Sequence, residues 1–195
     1  MTDGNTARIV PATVDDIDPV ADLWIALAEG QRQHGSTLLA EENHAAVREW
    51  VARSVVTGEL LVARIREETN DGTGTEADTQ TTRSVTDPIG FVSFTIDHGG
   101  YEREQTRGTV GNLFVVPDYR GKGVGSALLG EAEQALREAG AEVVALEALA
   151  DNTHARTFYA AHGFEQHRVE LTKPLSAETT VASEADCSDV TEKTD

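Results

Sequence analysis

Apolar and polar positions alternate over Ala7 to Ala12 (ARIVPA), which predicts a first strand. The period then lengthens. Behind the acids Asp15 and Asp16, residues Ile17, Val20, Leu23, Trp24, Leu27 and Ala28 recur at helical spacing and share one face. Gly30 weakens this helix near its end, Gly35 and Ser36 break it, and a second helical pattern runs from Glu41 to Val56 through Ala45, Ala46, Trp50 and Val51 before Gly58 closes it. Glu59 to Arg66 (ELLVARIR) reads as a strand. The run Glu67 to Asp87 is rich in Thr, Gly and Asp and too polar to pack, so it is expected to be a flexible insertion in a hairpin.

Strand pattern resumes at Pro88 to Asp97, passes a polar loop at His98 to Arg107, and returns at Gly108 to Val116, where Pro117 and Asp118 end it. Gly123 to Ala139 carries Val124, Ala127, Leu128, Ala132, Ala135 and Leu136 on one helical face and stops at Gly140. A strand at Ala141 to Leu149, a short helix from Asn152 to Ala161 ended by Gly163, and a last strand at Phe164 to Lys173 complete the pattern. Strands and helices in this order, without an internal repeat, predict an α/β or α+β sandwich around one sheet. At 195 residues the chain suits one domain, expected at 1–175 with the insertion at 67–87 and a disordered acidic tail at 176–195.

Composition narrows the function. The 34 acidic and 16 basic residues give a net charge of −18, which opposes a sequence-independent grip on nucleic-acid phosphates. Only Lys122, Lys173 and Lys193 are lysines, and this lysine-poor, acid-rich balance is similar to that of cytoplasmic proteins of salt-accumulating halophiles. No apolar run is long enough to span a bilayer, and Met1 to Arg8 lacks the order of a signal peptide, so neither membrane nor nucleic acid is expected as a partner and the location is expected to be cytoplasmic. Cys187 alone forms neither a disulfide within the chain nor a thiolate zinc site, and the six histidines show no metal spacing.

Chemistry concentrates in Leu113 to Ser126 (LFVVPDYRGKGVGS), where a strand turns through a glycine-rich loop into a helix. Such a turn makes an anion site, because glycines let backbone amides approach a ligand, the helix start leaves amides unpaired, and the helix dipole favours negative charge there. Arg120 and Lys122 add positive charge in a chain that otherwise avoids it. The spacing fits neither a P-loop, for want of Gly-Lys-Ser/Thr, nor a Rossmann fingerprint, because Ser126 stands where the third glycine or alanine belongs. The plainer alternative is a tight turn with no ligand.

Arg120-Gly121-Lys122-Gly123-Val124-Gly125 resembles the Arg/Gln-x-x-Gly-x-Gly/Ala loop of the GNAT superfamily of acetyl-CoA-dependent N-acetyltransferases. Downstream, Leu146-Glu147, Asn152, Ala155, Phe158-Tyr159 and Gly163-Phe164 are similar to a second pattern of that family, and most of all to its ribosomal-protein and N-terminal acetyltransferase branch. The resemblance covers Thr109 to Lys173 and implies a mixed, mostly antiparallel central sheet flanked by helices. It implies acetyl-CoA as co-substrate, no metal, and an amine-bearing small molecule or protein as acceptor, with a homodimer left open. It also implies that Phe114, Val115 and Val116 pair with the pantetheine arm, that Arg120, Gly121, Lys122, Gly123, Val124, Gly125 and Ser126 hold the pyrophosphate, that Asn152 contacts the cofactor, and that Tyr159 faces its sulfur. Asn152 reads equally as a helix cap.

An amine must lose a proton to attack, since an alkylammonium such as that of lysine keeps its proton near neutral pH. The resemblance implies Glu147 as the base, on one strand face with Ala145 and Leu149, and Tyr159 as the hydrogen-bond donor to the departing thiolate. A surface role for Glu147 and a packing role for Tyr159 are the alternatives. Asn112 stands where several amine-acetylating members carry an acid, so Asp97, His98 and Glu102 are further candidates for the base. Trp24 and Trp50 are expected in the core or in the wall of an acceptor groove. The residues that would set the acceptor, Leu27 to Glu42 and His98 to Arg107, match no pattern. Against the transferase stand a non-catalytic acyl-CoA sensor and, more weakly, a structural interaction domain.

Overall fold

A computed structural model describes residues 7–65, 87–96 and 104–175. The expected insertion (apart from Asp87), the candidate bases Asp97, His98 and Glu102, and the tail with Cys187 lie outside the described residues. Strands β1 (Ala7–Pro11), β2 (Leu60–Ile65), β3 (Gly90–Ile96), β4 (Arg107–Val115) and β5 (Val143–Leu146) form one sheet in that order. The first three pairings are antiparallel and the β4–β5 pairing is parallel. A parallel neighbour needs a crossover, and α3 (Val124–Glu138) supplies it. Helices α1 (Ile17–Arg32) and α2 (His44–Thr57) lie between β1 and β2 in the chain, and α4 (Thr153–Ala161) follows β5.

Strand alternation divides the core between the two sheet faces. Leu60, Val62, Phe91 and Phe114 meet Val20, Leu23, Val47 and Val51 of α1 and α2. On the opposite face Ala63, Val92, Val110 and Val115 meet Val124, Leu128, Leu129, Ala132 and Leu136 of α3, with Phe158 and Tyr159 of α4 packed alongside. Each fully buried leucine here contributes about 1.5–3 kcal/mol. Gly108 in β4 lets α3 settle closely, since a Cβ there would come within 2.7 Å of the Leu136 side chain. Three polar side chains are buried among the described residues, Asp16, Ser54 and Ser93; Asp16, 1% exposed, accepts hydrogen bonds from the Thr13 amide at 2.8 Å and from Arg64.

The elements follow the sequence pattern except at two places. The final strand expected at Phe164 to Lys173 is absent; residues 165–175 form no regular element, and Val169 and Leu171 are exposed. Their alternation cannot hold a strand without a ladder partner, and none of the described residues pairs with them. The strand expected at Ala141 to Leu149 shrinks to four residues, Val143–Leu146. Its ladder with β4 ends at the pair Val110 and Leu146, so Glu147 falls one residue beyond the strand and is exposed, rather than sharing a strand face with Ala145 and Leu149.

Candidate active site

The short ladder has a local cause. Ser93 pairs with Asn112, but the next residue, Phe94, pairs with Val110, so Gly111 is an extra residue in β4. The Ser93 hydroxyl, on a side chain that is nearly buried, accepts hydrogen bonds from the Asn112 backbone amide at 3.0 Å and its side-chain amide at 3.3 Å and clasps the bulge. Beyond Val110 the two parallel strands separate, and Gly111–Val115 has no partner on the β5 side among the described residues. An open strand edge inside a sheet is a template for an extended ligand. The bond from the Val116 amide to the Ile89 carbonyl, 2.9 Å, closes the β3 ladder beside the pair Gly90 and Val115. By antiparallel alternation, the polar groups of Val115 and Leu113 then face the open side, whereas those of Phe114 face β3. The Val116 carbonyl is engaged as well, accepting from the Tyr119 amide.

At the end of this edge the chain passes a 3-10 turn at Pro117–Tyr119 and enters α3 through Gly123. Gly121 and Gly123 have φ of 72° and 80°, the left-handed region that a side chain disfavours, and a Cβ at either would meet open space. Among the described residues no side chain caps α3, and the first intrahelical bond runs from the Ala127 amide to Gly123, which leaves the amides of Val124, Gly125 and Ser126 unpaired within the helix. Gly125 faces α4 instead: a Cβ there would make an ordinary contact with the Phe158 ring at 3.6 Å. Arg120 folds back on β4, donating from Nε to the Val115 carbonyl at 2.8 Å with its guanidinium 5.5 Å from the Phe114 ring centre. That leaves its terminal nitrogens for an anion. The Lys122 ammonium lies 5.2 Å from the Tyr119 ring centre.

Helix α4 brings the aromatic wall. Tyr159 packs edge-on against Phe158 and Phe164 at 5.2 and 5.8 Å between centroids. Burial pushes its phenol above the usual value, so the hydroxyl keeps its proton throughout the neutral range, and it makes no hydrogen bond among the described residues. Asn152 is the N-cap of α4, its Oδ1 accepting from the Ala155 amide at 3.0 Å. His162, at the other end of α4, holds the Phe158 carbonyl through Nδ1 at 2.7 Å and the Ser126 hydroxyl through Nε2 at 2.9 Å, tying α4 to the first turn of α3. Glu147 stands apart, with no hydrogen bond or ion pair among the described residues.

On the α1/α2 face, an open cleft of about 240 Å³ is lined by Trp24, Leu38, Ala46, Val47 and Trp50, with Asn43 and Asn112 as its polar members. Asn112 belongs to the bulge, so this cleft reaches the point where β4 and β5 part. The amide nitrogen of Asn43 donates to the Leu39 carbonyl, fixing the connector between α1 and α2 as one wall.

A separating pair of parallel strands beside an uncapped, glycine-entered helix is now matched by relationship. Residues 46–164, more than half of the chain, match the Acetyltransferase (GNAT) family. The chain belongs to the GNAT family. Among individual relatives it is 38% identical over 68 residues to the aminoalkylphosphonate N-acetyltransferase of Salmonella typhimurium, covering 35% of this chain and 44% of that one. It is 40% identical over 65 residues to the N-alpha-acetyltransferase MAK3 of Arabidopsis thaliana, covering 33% and 34%. The chain thus spans less than half the length of these curated relatives. The crystal structure of a GCN5-related N-acetyltransferase from Ralstonia eutropha superposes with a TM-score of 0.60 at 21% identity over 87% of this chain and 98% of that one, a likeness of fold.

GNAT proteins use acetyl-CoA, and the residues present fit it: an open edge for an amide-bearing arm, and unpaired helix amides with Arg120 and Lys122 for its phosphates. Of the residues singled out in the sequence, Arg120 to Ser126 and Val115 gather along one line from the edge to the helix start, with Phe158 beside Gly125 and Tyr159 packed on the same core as Val115 and Val124. The sequence reading missed Leu113, Ser93 and His162. Gly111 inside a strand was the available signal for the bulge and therefore for Ser93; Leu113 and His162 had no signal of their own.

Proposed function

We propose that the protein transfers the acetyl group of acetyl-CoA to a primary amine by direct attack. The observation that carries this reading is the continuous path formed by the β4 edge past Gly111, the uncapped start of α3 and the aromatic wall of α4. The Val115 amide and the amide and carbonyl of Leu113 offer strand-like bonds to the pantetheine arm, with the Val115 carbonyl held by Arg120 and with Phe114 and Val116 holding the edge in place from the β3 side. Arg120, Gly121, Lys122, Gly123, Val124, Gly125 and Ser126 take the pyrophosphate, and Asn152 orders the turn that follows β5. In the transfer step the amine nitrogen forms a bond to the thioester carbonyl carbon, the carbon–sulfur bond breaks, and sulfur leaves as a thiolate. Tyr159, held protonated, donates a hydrogen bond or its proton to that sulfur. Glu147, the first residue past the last β4–β5 pair, stands at the vertex of the gap and receives the amine's proton through solvent.

The acid-rich, lysine-poor surface fits a protein working at high salt, and the likeness to an N-alpha-acetyltransferase supports the N-terminal branch as its kin. Labelled acetyl-CoA offered with peptides, polyamines and small amines tests the activity. Transfer is expected with at least one class. Glu147→Gln is expected to lower the rate most below neutral pH and less as the amine deprotonates by itself. Tight acetyl-CoA binding without transfer to any amine would replace the enzyme with a sensor.

A further inference from the structure

The acceptor cleft is chemically unusual for this chain. With 34 acidic residues in the sequence, a cleft facing an amine could easily carry carboxylates, yet none of its described lining residues is charged. Two indole rings, a leucine, an alanine and a valine form the walls instead. The position at the bulge where a carboxylate would meet an ammonium holds Asn112, whose amide nitrogen is already committed to Ser93. Its side-chain oxygen is left as a neutral acceptor for an amine N–H. At about 240 Å³ the cleft is smaller than the roughly 300–1,000 Å³ of sites for drug-sized ligands, so it takes one substituent rather than a whole oligocation. Leu38 is 45% exposed on the connector between α1 and α2, an apolar residue left in contact with water unless something covers it.

We infer that the acceptor is a primary amine bearing one uncharged apolar or aromatic substituent of about leucine to phenylalanine size, seated between Trp24 and Trp50. This rests on the acetyltransferase reading and adds the substrate class. A polycation would bring several charges to a wall that pairs with none of them, at a desolvation cost the cleft does not offset. An apolar substituent removes its own surface and that of Leu38 and the indoles from water.

Trp24 and Trp50 are the only tryptophans of the chain, so intrinsic fluorescence reports this cleft without turnover. The full-length protein is titrated with 2-phenylethylamine, isopentylamine, ethanolamine and spermidine, in the presence and absence of coenzyme A, and the same amines are assayed as acceptors. A saturable emission change with the first two, and a kcat/KM at least tenfold above those of ethanolamine and spermidine, is expected. Leu38→Glu adds a charge at an exposed position that the fold does not need. It should raise KM for 2-phenylethylamine at least tenfold while leaving KM for acetyl-CoA unchanged, and narrow the gap to spermidine. Preference for spermidine or ethanolamine, or no emission change with the apolar amines, overturns the inference even if transfer occurs. Saturable emission without transfer to any amine keeps the apolar site and defeats the acetyltransferase reading instead.

Discussion

The two ends of the candidate site are built from different materials. The cofactor end is mostly backbone: an open strand edge after Gly111, left-handed turns at Gly121 and Gly123, and helix amides that no side chain caps. The cleft proposed for the acceptor is side chains, contributed by α1, the connector after it, α2 and the bulge of β4. Backbone donors suit a ligand that never changes. Side chains can be exchanged without disturbing the sheet, so one family can keep its co-substrate while its members accept different amines, as the aminoalkylphosphonate and N-alpha relatives do by name.

The sharpest way to break this division is Tyr159→Phe, because Tyr159 is the side chain proposed to supply the chemistry at the cofactor end. The variant keeps the ring contacts with Phe158 and Phe164 and loses only the hydroxyl. Its kcat is expected to fall roughly tenfold to a thousandfold with acetyl-CoA affinity unchanged. A full rate would leave the thiolate without a donor from this chain. Gly123→Val tests the backbone half. A β-branched residue in the left-handed region costs about 1–3 kcal/mol, so acetyl-CoA affinity measured by calorimetry should drop roughly fivefold to a hundredfold. Unchanged affinity would mean that the entry to α3 is only a turn.

This division also explains what could be read in advance. The loop Arg120 to Ser126 was legible because backbone geometry forces particular residues at consecutive positions, glycine where φ is positive and an uncapped start behind it. The α1, α2 and α3 faces were legible because burial imposes a period on each helix by itself. Trp24, Trp50 and Asn112 were visible singly and Leu38 only as part of Leu27 to Glu42, but nothing in local pattern says that a residue before the second helix and one in a later strand share a cleft. Glu147 was misplaced for a similar reason. Its strand pattern is genuine, yet the strand ends where its neighbour bulges, and that depends on Ser93 and Gly111, far away in sequence. The Phe164 to Lys173 strand failed for want of a partner, which alternation cannot supply.

Between the two halves sits the bulge, which both need, and Ser93→Ala measures its worth. The substitution deprives the Asn112 amide of a nearly buried acceptor and should cost about 1–3 kcal/mol of stability, read as a lowered melting temperature. Because the bulge both opens the β4 edge and points Asn112 into the cleft, KM values for acetyl-CoA and for the amine should rise together. A change in only one of them would show that the two halves are independent at this residue.

The smallest effect concerns the proton on Tyr159. Burial raises its folded-state pKa above the unfolded value of about 10, which means that the folded protein holds this proton more tightly than the unfolded chain does. Its contribution to stability is therefore full below about pH 10 and is lost as pH rises through the higher folded value. The same proton is the one proposed for the departing sulfur, so the rate should stay level through the neutral and mildly alkaline range on account of this group and decline only in that high window. Melting temperatures from pH 9 upward, compared between the wild type and Tyr159→Phe, isolate the effect. The wild type should lose stability more steeply than the variant. Parallel curves would show that the phenol is as well solvated folded as unfolded, and would weaken the case for a proton kept at the sulfur by burial.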